Sequence, residues 1–143
     1  MKIAIGADHG GFELKNKIID HLKADYEVMD FGPNSSESVD YPDFAVKVTS
    51  SIQNSEADLG ILICGTGVGM SIAANKQKGI RAALVGDVFT AQATREHNNS
   101  NVLCLGARVT GDMLALMIVD TWLGAEFQGG RHAKRLEKLE NLC

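Results

Sequence analysis

The feature that narrows the possibilities most is an alternation: short apolar runs and amphipathic stretches take turns along the chain. Ile3 to Ala7, Tyr26 to Asp30, Leu59 to Ile63, Arg81 to Val85 and Val102 to Leu105 read as strands. Leu59 to Ile63 is apolar without a break, the pattern of a central strand covered on both faces. Leu14, Ile18 and Leu22 recur at four-residue spacing, which predicts a helix over Gly11 to Lys23. Pro42 suits the first turn of the next helix, ending near Ile52. Further helices are expected over Gly69 to Lys76, Val88 to Glu96, Asp112 to Leu123 and Arg131 to Asn141, the last with Leu136 and Leu139 inward. Phe31 to Tyr41 is rich in Gly, Pro, Asn and Ser and reads as a loop. Strands that alternate with helices predict a parallel α/β sheet with helices on both faces.

A chain of 143 residues fits one domain and is long enough to bury a core. Its net charge of -4 argues against a nucleic-acid binder, which would carry a basic stripe. An anionic small substrate is compatible, because a local cluster of Arg and His can outweigh a mildly acidic surface. No apolar run has membrane-spanning length and no leader is evident, so no membrane association is expected and cytoplasmic residence is. Cys64, Cys104 and Cys143 are too few and too widely spaced for a disulfide framework or a zinc site, so reduced thiols are expected. No metal-ligand spacing and no Ser-His-Asp arrangement is legible.

In parallel α/β sheets ligands sit at the carboxyl ends of the strands. That rule selects Asp8-His9-Gly10-Gly11 after the first strand and Cys64-Gly65-Thr66-Gly67-Val68-Gly69 after the third. In the second segment a thiol leaves a buried strand and a glycine-rich turn opens a helix. Helix-terminal amides favour negative charge, which predicts a depressed thiol pKa and a place for a developing oxyanion. The plain alternative is a small core residue ahead of a tight turn. The dinucleotide pattern G-x-G-x-x-G is broken: its last place falls on Met70 or Ile72, although Asp87 stands near where that pattern wants an acid. The phosphate-loop pattern ending in G-K-[ST] is absent.

Asp8-His9 could bind a sugar phosphate or simply cap a helix beside an exposed His. His97-Asn98 could move protons or simply end a helix. This pair does not follow a strand, so it must reach a site by another route, such as a neighbouring subunit. Arg131 and Arg135 are four apart and share a helix face, which suits a phosphate dianion or a solvated surface equally. Arg108 stands just past the fifth strand. Trp122 and its apolar neighbours fit a core or subunit interface better than a cofactor site.

Taken together, the strings GADHGGFELK, DYPDFA, GILICGTGVGMSIAANK, GIRAAL, REHNNSNVLCLGARV, IVDTWL and FQGGRHAKR resemble the ribose-5-phosphate isomerase B family of sugar-phosphate isomerases, over nearly the whole chain. The resemblance implies a single-domain, three-layer α/β/α Rossmann-like fold with a five-stranded parallel sheet and a C-terminal helix. It implies a homodimer or homotetramer with active sites shared between subunits. It also implies cofactor-free interconversion of ribose 5-phosphate and ribulose 5-phosphate through a cis-enediolate, in the pentose phosphate pathway.

Position by position, the resemblance makes Cys64 the general base, Thr66 its assistant and His97 the acid that opens the furanose ring. Gly65, Gly67, Val68 and Gly69 become the amide cradle. Asp8 and Asn98 would meet sugar oxygens, and His9, Arg108, Arg131 and Arg135 the phosphate, with Tyr41 in the pocket. Some members use a glutamate from the following loop as base. No carboxylate stands between Cys64 and Ser71 here, so the cysteine mechanism is expected. Competing readings are an isomerase of a six-carbon sugar phosphate (allose or galactose 6-phosphate), a non-catalytic phosphosugar-binding module, and a nicotinamide-dependent oxidoreductase, which the broken glycine pattern weakens.

Overall fold

The computed structural model describes residues 1–142. Its elements run β1 (Lys2–Ala7), α1 (Phe12–Leu22), β2 (Glu27–Asp30), α2 (Tyr41–Gln53), β3 (Leu59–Cys64), α3 (Val68–Asn75), β4 (Ala82–Leu84), α4 (Val88–Asn98), β5 (Val102–Gly106), α5 (Asp112–Gly124) and α6 (Arg131–Glu140). The five strands form one parallel sheet in the order β2-β1-β3-β5-β4. This is the α/β architecture expected from the alternation. The unbroken apolar run is the central strand β3, buried along its whole length.

Alternate residues of a strand point to opposite faces, and the core divides accordingly. Ile3, Ile5, Ile61, Ile63, Leu103 and Leu105 pack with Leu14, Ile18, Ile118 and Trp122 of α1 and α5. Ala4, Leu62, Cys64, Val102 and Cys104 pack with Ala45, Val48, Met70 and Ala74 of α2 and α3. Trp122 is a core residue, fully buried, and its indole Nε1 donates to Ser100 Oγ at 2.9 Å. No helix among the described residues is long and apolar enough to cross a membrane.

Two expectations need correction. His97 and Asn98 do not lie beyond a helix; they form the last turn of α4, which closes at Asn99 in a left-handed conformation (φ 46°). In line with the broken dinucleotide pattern, Asp87 caps α4, with Oδ1 accepting the Thr90 amide at 2.6 Å and Oδ2 the Thr90 hydroxyl at 2.7 Å. Leu136 and Leu139 face inward but bury little of α6, and Leu139 is half exposed. The buried residue of α6 is His132. Cys143 lies outside the described residues, and Cys64 and Cys104 are free thiols.

Candidate active site

At the carboxyl end of the sheet, β1, β3 and β5 deliver three turns to one place. Asp8 Oδ1 accepts the Gly10 and Gly11 amides at 2.8 and 3.2 Å, which folds the chain after β1 into a tight turn. A Cβ on Gly10 would stand 3.3 Å from Asp8 Oδ1, 3.4 Å from the Gly65 amide nitrogen and 3.6 Å from Arg108 Nη2. Asp8, Gly65 and Arg108 therefore crowd a single point. Arg108 is fixed there because its amide donates to the Gly65 carbonyl at 2.9 Å, while Ala107 does the same to Cys64. Its guanidinium forms no ion pair among the described residues.

Cys64 ends β3 on the face towards α2 and α3, and only 5% of it is exposed. The next turn folds back over it. Gly67 takes a left-handed conformation (φ 81°) and its amide donates to Cys64 Sγ at 3.1 Å. A Cβ at Gly67 would meet Leu84 at 2.5 Å and the Leu105 carbonyl carbon at 3.0 Å, so only glycine fits. Val68 donates its amide to Thr66 Oγ1 at 3.3 Å. The amides of Gly65, Thr66 and Gly69 donate to no protein group among the described residues. They form the open part of the cradle. Tyr41, at the start of α2, lays its ring against Gly69, where a Cβ would stand 2.7 Å from Cζ. His9 accepts the Val39 amide on Nδ1 at 3.2 Å.

His97, Asn98, Arg131 and Arg135 are elsewhere. Helix α4 runs antiparallel to the strands, so its last turn lies at their amino ends. Asn101, three residues past α4, accepts on its carbonyl the amide of Gly60 near the start of β3. Cys64 lies four residues further along that strand, about 13 Å at ~3.3 Å per residue. There the His97 ring stacks on His132 of α6, with centroids 4.4 Å apart and planes 13° from parallel. Burial, then His97, Arg131 and Arg135, push the His132 pKa below its usual value. Arg131 and Arg135 are exposed and make no ion pair among the described residues. Beside them Asn98, Ile80, Leu136 and Leu139 line an open cavity of about 450 Å³.

The candidate residues thus fall into two groups at opposite ends of the sheet. The carboxyl end holds Asp8, His9, Tyr41, Cys64, Thr66, the glycine turn and Arg108. The amino end holds His97, Asn98, Arg131, Arg135 and also His132, which the sequence sets in one basic cluster with Arg131 and Arg135 but whose burial is not expected from it. Its signal was present: His132, Leu136 and Leu139 share one helix face.

A sulfur under a helix-opening glycine turn, at the carboxyl end of an open parallel sheet, defines an α/β enzyme of the kind that holds an anionic small molecule on main-chain amides. The comparisons narrow the class. Residues 3–139 match the ribose/galactose isomerase family model, and the chain belongs to that family. It is 54% identical over 139 residues to ribose-5-phosphate isomerase B of Escherichia coli, covering 96% of this chain and 93% of that one. The solved ribose-5-phosphate isomerase B of Clostridium thermocellum superposes with a TM-score of 0.98 at 59% identity, covering 99% and 97% of the two chains. That of Mycoplasma genitalium, solved with bound ribulose-5-phosphate, gives 0.93 at 50% identity, covering 97% and 93%.

Proposed function

We propose that this protein interconverts ribose 5-phosphate and ribulose 5-phosphate, with Cys64 as the base, in sites completed by a second subunit. The observation that carries the reading is the Gly67 amide aimed at Cys64 Sγ from 3.1 Å, beside amides with no protein partner. An N–H pointed at sulfur accommodates a thiolate, which accepts and has no proton of its own to offer.

The chemistry follows from the placement. The thiolate takes the proton from C2 of the open-chain aldose and returns it to C1. The negative charge developing on the substrate oxygen meets the free amides of Gly65, Thr66 and Gly69. Thr66 Oγ1 accepts from Val68, which leaves its own proton free for a substrate oxygen. The free oxygen of Asp8 and the Asn98 side chain face hydroxyl groups. Arg108 with His9, and Arg131 with Arg135, clamp the phosphate. His97 donates the proton that opens the furanose ring. Because its own His97 lies at the far end of the sheet, a site needs a second copy. A two-fold pairing that runs the last turn of α4 against a partner's carboxyl end supplies one, in a dimer or a tetramer. Cytoplasmic residence, where thiols stay reduced, suits such a base.

The test is a side-by-side assay of purified protein on five- and six-carbon aldose phosphates, with and without chelator. Ribose 5-phosphate should give the highest kcat/KM, undiminished by chelation. A faster six-carbon substrate reassigns the sugar, and no turnover on any of them overturns the reading.

A further inference from the structure

Between β2 and α2 the chain leaves the body of the protein, and residues 34–38 are all exposed. The near end of this segment is held firmly. The Gly32 carbonyl accepts the Ala7 amide at 3.0 Å, and the Gly32 amide donates to Asp30 Oδ1 at 2.9 Å. Asp30 is gripped in turn by Lys15, a lysine only 1% exposed whose Nζ lies 2.9 Å from both carboxylate oxygens. The far end is held by one bond, from the Val39 amide to His9 Nδ1 at 3.2 Å. Among the described residues no other hydrogen bond ties residues 33–39 to the rest of the protein. Two positions later Tyr41 lays its ring on Gly69.

A backbone amide only donates. Nδ1 of His9 must therefore present a lone pair, and the neutral ring then carries its proton on Nε2. Nε2 makes no hydrogen bond among the described residues, so this N–H is an unused donor at the rim of the site.

We propose that His9 is a positioning residue. By accepting the Val39 amide it seats the segment 33–39 and, through it, the Tyr41 ring over the glycine turn. The same bond fixes its own Nε2 as an N–H donor towards an anionic oxygen of the ligand. One imidazole couples the seating of a loop to the orientation of a substrate contact. The identity of that oxygen rests on the isomerase reading; the bond and the tautomer do not.

Long-range imidazole ¹⁵N spectra of the full-length protein without ligand read the tautomer directly. His9 should show an unprotonated Nδ1 and a protonated Nε2. Two variants separate its tasks. His9→Asn keeps an acceptor where Nδ1 stood and loses the distal donor. His9→Gln keeps the distal donor and loses the acceptor. Hydrogen exchange at the Val39 amide should be slow in the parent and in His9→Asn. In His9→Gln it should be about tenfold faster, the worth of one hydrogen bond. With ribose 5-phosphate, His9→Asn should raise KM at little cost in kcat, whereas His9→Gln should lower kcat as well. A proton on Nδ1 in the parent, or equal Val39 exchange in all three proteins, overturns the proposal. The spectra and the exchange need no substrate, so they stand or fall separately from the isomerase assay.

Discussion

At the carboxyl end of the sheet the candidate site is set by main chain: three turns, an amide on sulfur, a ring resting on a glycine. At the amino end it is set by side chains on two helix ends, the last turn of α4 and the first of α6, which meet through stacked imidazoles. The first half is pre-formed and tolerates almost no added atoms. The second half is open: among the described residues Arg131 and Arg135 make no ion pair, and Leu139 is half exposed. The contrast teaches that rigid backbone suits holding a reactive atom and an oxyanion, whereas long cationic side chains suit reaching across to a ligand that another surface holds.

The largest effect that tests this division is at sulfur. Cys64→Ala should leave the fold intact by thermal melt and lower kcat by about 10²-fold or more, the usual contribution of a general base. Retention of more than about a tenth of the rate would remove Cys64 from that role. His97→Ala should be comparably damaged on the cyclic sugar. If each site takes one half from each subunit, mixing these two inactive variants under exchange conditions should restore about a quarter of parental activity, because half the random dimers then hold one intact site of two. No recovery on mixing would break the division between the ends.

A smaller effect compares glycines. Gly69→Ala places a Cβ 2.7 Å from the Tyr41 ring, so kcat/KM should fall by about tenfold or more as the ring is displaced. Gly129→Ala at the other end has open space and should cost only about 1 kcal/mol of stability for its positive φ (64°), with kinetics little changed. Equal kinetic damage in both would show that main chain matters as much at the amino end.

The smallest effect is in acid. The folded environment of His132 resists a proton that the unfolded chain accepts near the usual histidine value of 6.5. Between that value and the lower folded one the unfolded state binds more protons, so stability falls with falling pH. His132→Asn should flatten this part of a melting-temperature profile, and an unchanged profile would assign the acid sensitivity to other groups.

Much of this was legible in the chain. Periodicity located every strand and helix to within a residue or two, because burial on a sheet or under a helix leaves a repeat of fixed length. The glycine turn after Cys64 was legible as chemistry because a left-handed Gly67 and a helix start coincide with a strand end. Other features had no local signal. Nothing near Gly69 announces Tyr41, and nothing near His9 announces Val39, since both contacts join segments far apart in sequence. On α6 the inward face is legible from Leu136 and Leu139, but the depth of His132 on that same face is not, because a histidine counts as polar. Only the neighbour it stacks on explains why His132 is the buried one.

The strand order has a consequence for how the protein is made. Among the described residues β4 pairs with β5 alone, and β5 lies between β3 and β4. A ribosome releasing the chain from its amino terminus therefore exposes β4 well before its partner is translated. Until residue 106 has emerged, the central strand keeps a bare flank that invites association with other nascent chains. Truncation just short of β5 should thus yield a product that precipitates or is degraded, not a smaller folded unit.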